Sequence, residues 1–265
     1  MRFRSSNPVY RNVMRSESFD MAESVTYQGV ATKTFLLVCL ALFSGTLIAI
    51  NFINYSVVST PLVIISVIAA FIAVIVGTIN VRASLICSII YALAEGVTLG
   101  LVSAIYVLAF GDFIVPVALF MTLAVVMTMA LLYSTKIIRV TAGFRSFLYT
   151  TLITMVVGSL VLFILSLFGI NFLANSLGLY IGVCILSAVV ASLYLTIDFA
   201  NIGNCVEQNV SKEYEWTLAL SLMVTVVWLY VEILRLVAIL YNRKRWNICF
   251  IFFMLLHKPL INISI

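Results

Sequence analysis

The chain has 265 residues, of which 64% are hydrophobic and only 9% are charged, and its formal net charge is +5. A soluble domain carries about 25% charged residues, so this composition excludes a water-soluble protein and indicates a membrane protein. The basic residues lie beside apolar stretches, a pattern that indicates orientation in a membrane rather than binding to nucleic acid.

The N-terminal residues 1–30 are polar and mixed in charge. No apolar core with a small-residue cleavage site follows where a signal peptide would have one. We therefore predict that residues 1–30 form a polar cytosolic tail.

Seven apolar stretches are long enough to cross a bilayer, which requires roughly 20 residues per helix. They cover residues 34–54, 57–79, 84–109, 113–134, 146–169, 175–198 and 216–241. The apolar runs are continuous rather than alternating, which favours helices over a β-barrel. We predict an all-α membrane protein, a seven-transmembrane helical bundle over residues 31–243.

The distribution of lysine and arginine predicts the orientation of this bundle. The loops near residues 55, 110 and 171 contain neither residue type. With a cytosolic N-terminus, the basic residues between spans all fall on the cytosolic side: Lys33, Arg82, Lys136, Arg139, Arg145 and Lys212. Seven spans place the basic segment NRKR at 242–245 outside, so either span 7 does not fully cross or the preference is overridden at this end, and we expect the override.

The C-terminal residues 244–265 form an apolar tail of undefined role, which His257 to Pro259 interrupt before it reaches the length of a span. His257 is the only histidine, which argues against a histidine-based metal site or catalytic triad. The five cysteines have no metal-like spacing and are interpreted as core residues. We expect neither an enzyme nor a bound cofactor.

An isolated acid, Glu95, lies within the third span in the stretch YALAEGVTLG, residues 91–100. It lies about 17 Å from the start of that span at 1.5 Å per residue. Small residues recur every four positions beside it, from Ser88 to Gly100, and such stripes let helices approach closely. We predict that Glu95 points into the bundle; the alternative is a protonated structural tie between helices.

The sixth span ends in SLYLTIDFANIGN, where Tyr194, Asp198 and Asn201 share one helical face. We expect Asp198 at the cytosolic end of this span, level with Arg82 at the start of the third. A pairing between the two is allowed by this geometry. The alternative is an interfacial acid exposed to water.

The seventh span carries Thr225, Glu232 and Arg235 on a single face. Glu232 and Arg235 form a favourable i, i+3 pair, which is alternatively only a structural ion pair. Together with Glu95 and Asp198, Glu232 would occupy a series of successive depths. Because ionisable groups within a membrane usually mark an ion or proton route, we predict such a route here.

At these residues the sequence resembles the Bax inhibitor-1 family, also called the transmembrane Bax inhibitor motif family, and its bacterial YccA-like branch. The matching segments are YALAEGVTLG, SLYLTIDFANI and YEWTLALSLMVTVVWLYVEILRL. The resemblance covers roughly residues 5–243 and implies a multi-pass protein of a bacterial plasma membrane, with span 7 central. It also implies a pH-sensitive calcium leak.

In characterised bacterial relatives two aspartates on spans 6 and 7 share a proton, and an arginine latches onto the first of them. The resemblance assigns the first aspartate to Asp198 and the latch to Arg82. It places Thr225 where the second aspartate would lie, and Glu232 follows seven residues later, about 10 Å along the helix. A proton-sharing pair is therefore not expected in this chain.

The leading function is a passive Ca²⁺ or H⁺ leak gated by protonation of Asp198, Glu95 and Glu232. Oxygen ligands suit Ca²⁺, and we expect Tyr194, Asn201 and Thr225 to support weak sites without a tightly bound metal. The alternative is a non-conducting regulator that binds a membrane protease or a stress-response protein. The predicted partners are otherwise membrane lipids, and no nucleic acid is expected.

Overall fold

The computed structural model describes residues 24–55, 60–138, 140–168 and 177–241. Seven long helices make up almost all of these residues: α1 (Tyr27–Tyr55), α2 (Thr60–Ile79), α3 (Ser84–Phe110), α4 (Ile114–Ser134), α5 (Ala142–Leu167), α6 (Leu177–Glu207) and α7 (Tyr214–Tyr241). All seven are long and apolar enough to cross a membrane. The predicted fold class, a seven-span helical bundle, is confirmed. The C-terminal tail at 244–265 and Arg139 lie outside the described residues.

Helix α7 is the centre of the bundle. It packs against α1, α2, α3, α4 and α6. In its most apolar stretch of 18 residues, 61% is buried inside the protein, against 6% in α5. Helix α5 packs mainly against α6. The predicted central position of span 7 is therefore confirmed, and polar side chains on α7 lie inside the protein.

Two helices extend furthest beyond the predicted apolar stretches. Helix α1 begins at Tyr27, seven residues before the predicted span, so the expected tail boundary at residue 30 falls within it. Helix α6 continues nine residues past Asp198 to Glu207. A helix satisfies its own backbone hydrogen bonds. It can therefore continue past the end of an apolar stretch, where the predicted span stops.

The part of the predicted small-residue stripe that contains Gly96 and Gly100 is the contact surface of α3 for α1. Gly96 lies against Ala41 and Ser44, and Gly100 lies against Gly45. Ser44 Oγ donates a hydrogen bond to the carbonyl oxygen of Leu93 at 3.2 Å. Side chains at either glycine would therefore separate the two backbones.

We expect Gly100→Ala to lower the free energy of unfolding by about 2 kcal/mol, the usual cost of overpacking a core. The new Cβ would lie 2.7 Å from Gly45 Cα and overlap backbone atoms, which cannot rotate away. The measurement is thermal unfolding of the purified protein in detergent. Gly158→Ala is the matched control, because nothing lies within 4 Å of a Cβ at that position. An equal effect of the two substitutions would contradict the role assigned to Gly100.

Candidate functional site

Asp198 is a buried acid between α6 and α7, with 6% of its surface exposed. Its Oδ1 accepts a hydrogen bond from Ser221 Oγ at 2.9 Å, and its Oδ2 accepts one from Thr225 Oγ1 at 2.6 Å. Among the described residues no lysine or arginine pairs with it. Two hydroxyl groups are thus the only side chains there that stabilise the carboxylate.

The depth of Asp198 differs from the expectation. Because α6 runs on to Glu207, Asp198 lies about 13 Å from the end of that helix rather than at it. Its partners Ser221 and Thr225 lie seven and eleven residues into α7, which begins at Tyr214. The carboxylate is therefore inside the bundle, away from the interface.

Arg82 does not contact Asp198. Two hydrogen bonds fix the register of α3 against α7: Ser88 Oγ donates to the Trp216 carbonyl at 3.4 Å, and the Ser103 and Tyr230 hydroxyls lie 2.9 Å apart. The two residues are 128 positions apart in the first pair and 127 in the second. The same spacing places Arg82 level with the chain just before α7, which begins at Tyr214. Asp198 lies more than two helical turns further into the bundle than Arg82. The latch that the family resemblance implies is therefore not formed.

Thr225 faces Asp198, in the position that the family resemblance gives to a second aspartate. The hydroxyl in that place donates a hydrogen bond to the carboxylate and carries no charge of its own. Glu232 lies about 10 Å further along α7 and has different partners. The site therefore contains one carboxylate and two hydroxyls.

Glu232 and Arg235 form a buried ion pair deeper in the bundle. Arg235 Nη1 lies 2.9 Å from Glu232 Oε2, with 6% and 7% of the two side chains exposed. Trp228 Nε1 donates to the other carboxylate oxygen at 3.3 Å. Both carboxylate oxygens of Glu232 therefore accept hydrogen bonds, as expected if Glu232 and Arg235 form only a structural ion pair.

Tyr194 and Asn201 are two further polar residues of α6, and they lie on either side of Asp198 along the helix. The Tyr194 ring packs edge-on against Trp228 with ring centres 6.0 Å apart, and its buried hydroxyl has no hydrogen-bond partner among the described residues. Asn201 is half-buried, one turn beyond Asp198 towards the end of α6. Neither side chain donates a hydrogen bond to the Asp198 carboxylate.

Glu95 is half-buried and lies at the level of Asp198, but next to a different side of α7. The α3 register places it beside Met223, between Ser221 and Thr225 in sequence. At about 100° per residue these two hydroxyl residues point about 160° away from Met223. Glu95 accepts no hydrogen bond within the described part of the chain. Helix α7 thus separates Glu95 from Asp198, and the acids do not form one line.

A cavity of about 840 Å³ opens at the side of the bundle where α1 begins, here called the N-terminal side. Its outer wall includes Tyr27, Tyr133, Lys136 and Glu207. Its inner wall includes Ile202, one turn from Asp198 on α6, and Leu222, the neighbour of Ser221 on α7. The cavity therefore ends close to the Asp198 site.

Sequence reasoning missed a second charged contact, which joins the start of α1 to the start of α7. Lys33 Nζ lies 2.6 Å from Glu215 Oε2, and Glu215 is fully buried. The other oxygen, Oε1, accepts hydrogen bonds from the Thr26 amide at 3.0 Å and the Thr26 hydroxyl at 3.1 Å. Gly29 leaves room for this carboxylate, because a Cβ there would overlap it. We call these residues the N-terminal clamp.

The segment before α1 strengthens the clamp. The Val25 amide donates to the Val210 carbonyl at 2.9 Å, and Ser24 forms an isolated antiparallel bridge with Ser211. The only signal in the sequence was two opposite charges, Lys33 and Glu215, at neighbouring ends of predicted spans on one side of the membrane.

Comparison with known proteins identifies the family of the chain. The sequence model of a family described as Bax inhibitor 1 like matches residues 7–242, which is most of the chain. No curated protein matches the chain.

Proposed function

This chain belongs to the Bax inhibitor 1 like family, and we propose that it provides a passive, pH-sensitive leak for Ca²⁺ or protons with Asp198 as its central acid. The observation that supports this most directly is the cavity that ends one helical turn from Asp198. A cation entering this cavity from the N-terminal side would pass Glu207 in the outer wall and then come within about one helical turn of Asp198.

The surroundings of Asp198 favour binding of a cation. A charged residue in the middle of a bilayer costs about 2.5 to 3.5 kcal/mol on insertion scales. Two hydroxyl hydrogen bonds offset part of this cost, and no basic side chain neutralises the carboxylate in the described part of the protein. A proton or a metal ion would supply the missing positive charge.

The ligand set suits brief rather than tight occupation. Ca²⁺ takes 6 to 8 oxygen ligands, whereas Asp198, Ser221 and Thr225 supply four side-chain oxygens. Within the described residues no group of three or more His, Cys, Asp or Glu side chains could hold a metal ion. Weak sites favour conduction, and competition between proton and Ca²⁺ for one carboxylate would make the flux depend on pH.

We further propose that the N-terminal side faces the cytosol of a bacterium, whose plasma membrane holds the protein. The basic residues Lys33, Arg82, Lys136, Arg145 and Lys212 all lie at this side of the bundle or just beyond the helix ends there. Cytosolic segments are enriched in lysine and arginine. Labelling of single introduced cysteines near residue 137 and near residue 112 in intact cells would test this orientation.

The direct test is reconstitution of the full chain into liposomes that contain a calcium-sensitive dye. We expect Ca²⁺ entry above that of protein-free liposomes, with a rate that changes between acidic and basic pH. Absence of flux at every pH would contradict the proposal and would favour the alternative, a non-conducting regulator.

Thr225→Asp should convert the site into a pair of carboxylates. Thr225 Oγ1 already lies 2.6 Å from Asp198 Oδ2, and two carboxylates at such a distance share one proton because both cannot ionise together. We expect the pH profile of Ca²⁺ flux to move to higher pH by about one unit or more. Thr225→Asn, which adds no charge, is the control and should leave the midpoint unchanged. An equal shift in both variants would contradict the explanation.

A further inference from the structure

The cavity of about 840 Å³ on the N-terminal side carries groups that the proposed leak does not use. We call it the tyrosine cavity, after Tyr27 and Tyr133 in its outer wall. Helix α1 begins at Tyr27, α4 ends at Ser134 and α6 ends at Glu207, so this wall lies where three membrane-spanning helices end. Membrane proteins are enriched in tyrosine at this depth, which is the level of the lipid headgroups.

The hydroxyl groups of the two tyrosines converge on one point of α6. A Cβ at Gly203 would lie 2.7 Å from Tyr133 Oη and 3.4 Å from Tyr27 Oη. Neither hydroxyl forms a hydrogen bond within the described part of the chain. The Tyr133 ring also lies against Phe199, with ring centres 6.2 Å apart. Because Phe199, Gly203 and Glu207 are spaced by four, the two hydroxyls and Glu207 lie along the same face of α6.

The tyrosine cavity is lined by one charged residue of each sign, Lys136 and Glu207. Both side chains are exposed, and neither forms an ion pair among the described residues. Because the charges that line the cavity balance, they favour neither a simple anion nor a simple cation. A zwitterion, which carries both charges, would pair with both residues.

The rest of the cavity wall is mainly apolar and continues into an apolar outer surface. The inner wall includes Ile202 and Leu222. On α4, Ala130 lines the cavity, and beside it Met127 and Leu131 are 64% and 61% exposed. These two side chains lie within a helix that spans the membrane, so they face acyl chains. A zwitterion that carries hydrocarbon chains would therefore match both the charged wall and the surface beside it.

We propose that the tyrosine cavity binds a zwitterionic phospholipid with a primary ammonium group, phosphatidylethanolamine, from the leaflet on the N-terminal side. The ammonium group donates to the Glu207 carboxylate, Lys136 contacts the phosphate, and the acyl chains lie along Met127 and Leu131. The tyrosine hydroxyls can donate to the phosphate or accept from the ammonium group. This binding is independent of whether the protein conducts ions. Only one consequence, slower entry of cations past Glu207, rests on the proposed function.

The test is native mass spectrometry of the full chain in a non-ionic detergent, titrated with phosphatidylethanolamine, phosphatidylcholine or phosphatidylglycerol of the same acyl chains. We expect phosphatidylethanolamine to bind most tightly, because phosphatidylcholine has no N–H donor for a carboxylate and phosphatidylglycerol has no positive charge. Lys136→Gln should weaken the binding of phosphatidylethanolamine and of phosphatidylglycerol about fivefold. Glu207→Gln should weaken the binding of phosphatidylethanolamine alone, by about threefold, which is the usual effect of an exposed ion pair.

Glu213→Gln is the matched control, because Glu213 is an exposed acid on the same side of the bundle and does not line the tyrosine cavity. This variant should bind phosphatidylethanolamine like the wild type. Equal affinity of the wild type for phosphatidylethanolamine and phosphatidylglycerol, or an equal loss in Glu207→Gln and Glu213→Gln, would overturn the assignment of the site. Competition with glycerophosphoethanolamine, which has the same headgroup without acyl chains, separates the two sources of zwitterion. Displacement of the lipid at equal concentration would show a site for a soluble zwitterion and would overturn the assignment to lipid.

Discussion

Replacement of Asp198 by asparagine is expected to lower Ca²⁺ flux in liposomes by at least about tenfold and to remove its pH dependence. At about 4 Å and an effective dielectric constant of about 20, a carboxylate attracts a unit charge by on the order of 4 kcal/mol. Asparagine has nearly the same volume and still accepts a hydrogen bond, so Ser221 or Thr225 retains a partner. The loss would therefore report the charge and not the packing.

The control for this experiment is Asp112→Asn, the same chemical change at an exposed position in the turn after α3. This variant should conduct like the wild type. Flux and pH profile that are the same in Asp198→Asn and in the wild type would contradict the role of Asp198. Glu95→Gln gives a second comparison, because α7 separates Glu95 from the Asp198 site and we expect a smaller effect there.

Replacement of Glu215 by alanine should have the largest effect on stability, a loss of about 3 kcal/mol in the free energy of unfolding. Removing one member of a buried ion pair costs about 3 to 5 kcal/mol, and we expect the low end because 18% of the Lys33 side chain remains exposed. The Thr26 amide and hydroxyl would lose their acceptor as well. Thermal unfolding of the detergent-purified protein measures the change.

The neighbouring acid Glu213 supplies the matched control. It is exposed at the start of α7, and Glu213→Ala should leave the unfolding temperature nearly unchanged. The double variant Lys33→Met with Glu215→Leu should be more stable than Glu215→Ala, since it leaves no unpaired buried charge. Equal unfolding temperatures for Glu215→Ala and Glu213→Ala would contradict the clamp.

The sequence allowed prediction of those features that depend on local pattern. Seven spans follow from long apolar runs, and a close helix contact of α3 follows from small residues spaced by four, including Gly96 and Gly100, although the sequence did not identify α1 as the partner. The proximity of Thr225 to Asp198 followed from the alignment of two family segments. Each of these signals lies within about 25 residues of sequence or is carried by the family resemblance.

The features that were missed depend on packing between distant segments. The depth of Asp198 was misjudged because α6 continues through residues 200–207, a mixed polar and apolar segment that lies outside the predicted apolar stretch. Predicting that α7 separates Glu95 from Asp198 would require the orientation of α7 about its own axis. That orientation is set by contacts with several helices at once. Lys33 and Glu215 are 182 residues apart, and neither has a neighbour in sequence that indicates the other.

The N-terminal clamp makes a mechanical connection between the chain that precedes α1 and the central helix. Ser24 and Val25 are held to residues 210 and 211, and Glu215 begins the helix that carries Thr225. A pulling force on the tail would thus act on the start of α7 directly and not only on α1. A protein that pulls on residues 1–23 would displace the helix beside Asp198 without entering the membrane.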